Sequence, residues 1–233
     1  MIRNGTFTDI PLANAVSQAL NRSRIYKLLA VALSAPEKGW IVALKDGFFV
    51  AALTEELREF GKTDWSELLK TLGDQLEKHE EKNGFEKLIQ EYTNLFIHPA
   101  STALPYQTEY TASHEFMKSQ QLADIMGFYR AFRLDLSETE HERADFIVTE
   151  LEFMHYLCLK EAQARKQYFG HIDLTVETEK KFLEEHLGAW VKEFYSAMVR
   201  SGQSEIYTAI LSIASRFVNL ECKQFGIQLE VFE

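Results

Sequence analysis

The sequence predicts an all-α fold, a single helical domain of about eight to ten helices spanning residues 1–233. Three observations carry that expectation. Apolar residues recur at spacings of three and four along most of the chain, the period of one helix face. Only 11 glycines and 4 prolines punctuate 233 residues, fewer than the turns of a large sheet require. No segment alternates apolar and polar residues with period two, and no internal repeat, low-complexity tract or linker-like stretch breaks the pattern. Apolar residues make up 46% of the chain, enough for a sizeable core.

The elements follow in order. A first helix is expected from Leu12 to Ala35, where Pro36 stops it. Phe48 to Phe60 forms a second, with Gly61 past its end. Asp64 caps a third, whose stripe is Trp65, Leu68, Leu69, Leu72 and Leu76. Its charged end, Glu77 to Lys82, reads as a solvated face. A fourth begins near Gly84, carries Leu88, Tyr92, Leu95 and Phe96 on its apolar side, and ends at Pro99. From there to about Ala112 runs the longest segment expected to lack helix. Ser113 opens a fifth helix through Phe132, and the Ser137/Glu140 capping box opens a long sixth that Gly170 ends. Thr175 and Thr178 offer caps for a seventh through Trp190 and Phe194, and Ser204 caps the eighth.

Composition excludes several functions. The chain holds 35 acidic against 25 basic residues, a formal charge of −10, and lacks the basic stripe of a nucleic-acid binder. A solvated surface explains that charge as well as a basic partner does. Cys158 and Cys222 both fall on apolar helical faces and read as buried thiols in a reducing compartment. No apolar run is long enough to span a bilayer, and residues 1–6 lack the pattern of a secretory signal. A cytoplasmic protein without stable membrane insertion is expected.

Catalytic chemistry finds little support. Two Glu-x-x-His pairs, Glu138/His141 and Glu152/His155, echo the motifs of di-metal carboxylate bundles, which place them on different helices. Here both fall on one expected helix, about 20 Å apart along its axis, too far to share a metal pair. His155 lies in an apolar stripe and reads as a core histidine. His79, His98, His114, His171 and His186 show no ligand spacing. No nucleophile motif or Gly-rich phosphate loop is present. No catalytic residue, metal site or cofactor is therefore expected.

The most informative stretch is Tyr92-Thr93-Asn94-Leu95-Phe96, then Pro99, then Pro105-Tyr106-Gln107-Thr108-Glu109-Tyr110. It describes an aromatic-lined corner between helices, suited to gripping a peptide. With the blocks Asp145-Phe146-Ile147-Val148-Thr149-Glu150-Leu151-Glu152-Phe153 and Phe182-Leu183-Glu184-Glu185-His186-Leu187-Gly188-Ala189-Trp190, it resembles the TorD/DmsD/NarJ family of molybdoenzyme maturation chaperones. Phe146 stands where many members carry histidine, and Leu104 where a second proline is common.

The resemblance implies a TorD-like helical chaperone without catalytic turnover. Such proteins bind the apo catalytic subunit of a molybdenum oxidoreductase, often at its twin-arginine signal peptide, and hold it until its cofactor is inserted. Some members exchange between monomers and domain-swapped dimers, and nucleotide binding has been proposed for some. On this reading Leu95, Phe96, Pro99, Pro105, Tyr106, Tyr110 and Phe146 shape a peptide groove, while Glu109, Asp145 and Glu150 supply its acids. Exposed ion pairs contribute only about 0–1 kcal/mol. Micromolar affinity needs about 8 kcal/mol, so the apolar groove must carry most of it and the acids set register. Two other readings stay open: a helical metal-binding protein or enzyme built on the Glu-x-x-His pairs, and a helical scaffold subunit.

Overall fold

A computed structural model describes residues 12–37, 39, 42–43, 46–60, 63–78, 84–98, 101–136, 143–167 and 172–228. Among these residues the secondary structure is helical apart from one isolated bridge between Tyr106 and Phe146. Pro99, the Ser137/Glu140 capping box, the Glu138/His141 pair, His79, Gly170 and His171 lie outside the described residues.

The helices are α1 (Leu12–Leu33), α2 (Phe48–Glu59), α3 (Ser66–Lys78), α4 (Gly84–Tyr92), the single turn α5 (Thr108–Thr111), α6 (Glu115–Ala131), α7 (Ile147–Gln167), α8 (Ile172–Phe182), α9 (Gly188–Ser201) and α10 (Glu205–Gln224). Several begin on the caps expected from sequence. The Asp64 carboxylate accepts from the Ser66 N–H at 2.9 Å, and the Ser204 hydroxyl oxygen accepts from the Tyr207 N–H at 3.3 Å. Gly202, at φ 60°, ends α9 in the left-handed conformation that glycine adopts without strain.

Two expectations are corrected. The long sixth helix starts at Ile147, ten residues after Ser137, because residues 105–107 pair with 145–147. Gln107 N–H donates to Asp145 O at 2.9 Å and Ile147 N–H to Pro105 O at 3.0 Å. That long-range pairing holds Phe146 in its bridge, just after a turn closed by the Phe146 N–H bond to Arg143 O at 3.2 Å, and keeps both Asp145 and Phe146 out of the helix. The seventh expected helix begins at Ile172, so Thr175 sits inside α8 and is buried, and Thr178 Oγ1 donates back to Leu174 O.

Neither α4 nor α8 ends as a plain α-helix. Each widens into one π turn, Thr93–Ile97 after α4 and Leu183–Leu187 between α8 and α9. Such turns concentrate at functional sites. In the second, the Gly188 N–H bonds to Leu183 O, and a Cβ on Gly188 would lie 2.3 Å from that oxygen and 2.7 Å from Cys222 Sγ. Only glycine fits there without backbone movement.

The core is one continuous cluster built around α1 and α7, which share the most extensive helix contact among the described elements. Trp190, Phe182, Phe194, Phe217 and Tyr207 are fully buried beside them. Cys158 and Cys222 are buried free thiols. At its centre lies a charged group. Arg22 of α1, 1% exposed, donates to Glu161 of α7, Glu179 of α8 and Glu221 of α10 at 2.9, 2.6 and 2.6 Å. Arg165 also holds Glu161, at 2.6 Å. One guanidinium thus ties four helices together.

Candidate functional site

The aromatic corner is built where segment 101–111 meets residues 143–146. Asp145 is its knot. Its carboxylate is fully buried and accepts from the Thr108 N–H at 3.1 Å and the Thr108 hydroxyl at 2.8 Å. Arg143 clasps the same carboxylate with a fork, Nε to Oδ1 at 3.0 Å and Nη2 to Oδ2 at 2.9 Å. The guanidinium then lies over the Tyr106 ring, 4.1 Å from its centroid. Arg143, Thr108 and Gln107 were not expected from sequence. Arg143 and Asp145 stand two apart in a turn closed by Phe146 N–H to Arg143 O at 3.2 Å, where periodicity carries no signal that would pair them.

The expected groove residues are distributed unevenly. Leu95 and Phe96, 0% and 3% exposed, lie inside the core on the first π turn, where Phe96 meets the Tyr92 and Tyr207 rings. Pro105 is buried, and Tyr106 is half-buried with its ring 5.8 Å from that of Phe146. Tyr110 stacks on Trp190 at 5.6 Å. Burial raises the Tyr110 phenol well above its ordinary range.

Of the three expected acids two are buried and the third, Glu109, is exposed but ion-paired. Asp145 is buried and precedes α7, outside the long helix expected to open at Ser137. Glu150 is fully buried and accepts from Trp190 Nε1–H at 3.0 Å; burial pushes its carboxyl well above the usual range. Glu109 is taken by Lys118 at 3.1 Å and Arg143 at 3.5 Å. The physical reason is common to all three: each acid near the corner is consumed in fixing the corner.

Beside the corner opens a groove of about 800 Å³ that runs from the end of α1 to the first turns of α7. Its walls are aromatic and aliphatic, with Tyr92, Tyr129, Phe146, Phe153 and Tyr156 among the lining and Leu134 and Leu136 along one side. Three acids stand in its lining, Glu37, Asp135 and Glu152, and all three are exposed. Glu152 pairs with Lys27 at 2.9 Å, both side chains about half exposed. Of the residues expected to shape a peptide groove, Phe146 stands in this lining, whereas its three acids were not among them. Glu37 and Asp135 lie in connections past helix ends, where periodicity carries no signal.

The second Glu-x-x-His pair does not make a metal site. His155 Nδ1 lies 2.8 Å from Ser23 Oγ and 2.9 Å from Ser23 O, while Glu152 faces Lys27. Among the described residues no helix is long and apolar enough to cross a membrane.

The sequence profile of the nitrate reductase delta subunit matches residues 57–196 of this chain. The chain belongs to the nitrate reductase delta subunit family. The matched span holds the corner, both π turns and all of the groove except the end of α1. Curated relatives of this family member agree in kind. It is 26% identical over 230 residues to the perchlorate reductase assembly chaperone protein of Dechloromonas aromatica (strain RCB), covering 96% of this chain and 98% of that one. It is 32% identical over 111 residues to the chlorate reductase assembly chaperone protein of Ideonella dechloratans, 48% of this chain and 57% of that one. A 73-residue stretch is 38% identical to the selenate reductase assembly chaperone protein of Thauera selenatis, covering 31% and 37%.

Proposed function

We propose that this member of the nitrate reductase delta subunit family is an assembly chaperone for a molybdenum-containing reductase. It binds the apo catalytic subunit in the cytoplasm, engages a twin-arginine signal peptide where the client carries one, and performs no catalysis itself. Kinship with assembly chaperones of perchlorate, chlorate and selenate reductases supports the chaperone role. The single observation that carries the peptide site is the groove beside α7, an aromatic floor with three exposed acids in its lining. A signal with an arginine pair and an apolar run matches both features.

Physical magnitudes divide the labour. Each large apolar side chain that the groove buries contributes roughly 1.5–3 kcal/mol. An exposed carboxylate contributes about 0–1 kcal/mol and mainly fixes register. A peptide arginine meets Glu152 with a bidentate fork that Lys27 cannot offer, so exchange of partners is favourable.

The test is peptide binding measured by fluorescence anisotropy at low and high salt. Tyr156→Ala is expected to weaken binding about 30-fold, the effect of losing an aromatic anchor of about 2 kcal/mol. Asp135→Asn with Glu152→Gln is expected to weaken it about 3- to 10-fold at low salt and to flatten its salt dependence. Unchanged affinity in both variants at both salt concentrations would remove the groove from client recognition.

A further inference from the structure

The second π turn carries a group of side chains that neither the corner nor the groove uses. Asp124 on α6, and Glu185 and His186 on the turn, each bring one ligand atom within 4.8 Å of the others. Sequence spacing gave no hint of this, because Asp124 arrives from a different helix. We propose that Asp124, Glu185 and His186 form a binding site for one first-row divalent cation of the zinc class.

The decisive feature is His186. The residue is 2% exposed, and its Nε2 is buried with no hydrogen-bond partner. Its Nδ1 lies 3.1 Å from Gln107 Oε1, while the Gln107 amide N–H donates to Glu185 O at 3.1 Å. That second bond fixes which end of the Gln107 amide faces the imidazole. The oxygen faces it, so Nδ1 carries the proton and Nε2 bears a lone pair. Nε2 lies 3.5 Å from the Asp124 carboxylate. Two electron-rich atoms held this close call for an electrophile between them.

A metal ion takes a neutral imidazole and ionised carboxylates as its ligands. The 3.5 Å between His186 Nε2 and Asp124 fits, since ligand atoms at about 2.0–2.2 Å from a tetrahedral ion stand roughly 3.3–3.6 Å apart, and the Glu185 carboxylate lies within 4.8 Å of both. One imidazole with two carboxylates, and no thiolate, suits zinc and its neighbours and leaves one position open to water.

The surroundings resemble the outer shell of such sites. Gln107 orients the ligand histidine through its other nitrogen, and the Phe128 and Phe182 rings flank it at 5.1 and 5.0 Å. A shallow hollow lined by Gln120, Gln121, Ala123 and Asp124 gives an ion access. The cation already nearby is Lys181, 3.8 Å from Glu185 Oε2 and mostly solvated, which an arriving metal ion displaces. Because Gln107 also belongs to the aromatic corner, the ion would brace the corner against α6. The proposal stands apart from the client reading and does not require it.

The test uses the full chain, freed of any histidine tag and stripped by a chelator, titrated calorimetrically with Zn²⁺ and by visible absorption with Co²⁺. One saturable equivalent is expected, with the intense visible bands of four-coordinate cobalt. Asp124→Asn and Glu185→Gln change exposed side chains and leave the core intact. Each is expected to weaken Zn²⁺ binding at least tenfold, with circular dichroism unchanged. Gln107→Ala is expected to weaken it about 10- to 100-fold, as the loss of an orienting partner does. Absence of a single saturable equivalent, or wild-type affinity in Asp124→Asn or Glu185→Gln, would overturn the site.

Discussion

Replacement of Arg22 by methionine is expected to lower the unfolding free energy by about 3–5 kcal/mol, as breaking a buried ion pair from one side does. Methionine fills much of the same volume, so the loss is electrostatic. It strands Glu179 and Glu221, both 0% exposed, without their cation, and leaves Glu161 only Arg165. For a chain of this length the loss corresponds to a fall of roughly 6–20 °C in Tm. Arg24→Ala, two residues on, removes a half-exposed pair with Glu56 and is expected to change stability by less than about 1 kcal/mol. The cluster also predicts a pH dependence. Burial pushes the Glu179 carboxyl up from 4.5 to about 8 against the pull of Arg22. A carboxyl raised in the folded state binds its proton more tightly there than when unfolded. Its stabilisation is complete below about pH 4.5 and is lost as pH rises through about 8. Urea midpoints of the wild type are therefore expected to fall between pH 6 and 8, and Glu179→Gln to reduce that slope, with the raised carboxyls of Glu150 and Glu221 supplying the remainder. Equal midpoints for Arg22→Met and wild type would contradict the keystone role of Arg22.

Asp145→Ala is expected to lower stability by about 2–3 kcal/mol, because the buried Thr108 N–H and hydroxyl proton lose their acceptor, although Arg143 Nη2 still donates to Thr108 Oγ1 at 2.7 Å. Arg143 is partly exposed and recovers water, which keeps the loss from growing larger. The consequence for function exceeds the consequence for folding. Without the Asp145 carboxylate, Thr108 loses its side-chain tie to the segment before α7 while the backbone bonds of residues 105–107 remain, and the Tyr106–Phe146 wall of the groove loosens. Peptide affinity is expected to fall about tenfold, with faster amide exchange at Thr108 and unchanged exchange in α10. Asp145→Asn keeps one acceptor oxygen and is expected to show a smaller version of both effects. Unchanged exchange at Thr108 in Asp145→Ala would show that the knot lies elsewhere.

The all-helical architecture was legible because each amphipathic stripe is local and repeated, and because Asp64 and Ser204 cap where their side chains reach back to the next turn. The start of α7 was not. Ser137 and Glu140 form a convincing local cap signal, while the true boundary at Ile147 is set by pairing with residues 105–107 across the fold. The π turns were invisible for a similar reason, since Leu95, Phe96, Leu183 and Leu187 keep helical spacing while the hydrogen bonds between them widen. At the site, the aromatic corner expected from sequence is present in the fold, while Asp145, Glu150 and Glu109, expected to face a peptide, are held by Arg143, Trp190 and Lys118. Whether an acid faces solvent or an arginine depends on partners from other helices. Arg22 makes the same point, because its three glutamates come from α7, α8 and α10.

The central claim is that the groove beside α7 holds the client peptide. Its most direct test is photo-crosslinking with a twin-arginine peptide that carries a photoreactive phenylalanine analogue in its apolar run, read by mass spectrometry. The account predicts adducts on Leu134, Leu136 and the α7 face carrying Phe153 and Tyr156, suppressed by excess unlabelled peptide. Adducts confined to other surfaces, with the groove unlabelled at saturating peptide, would contradict it.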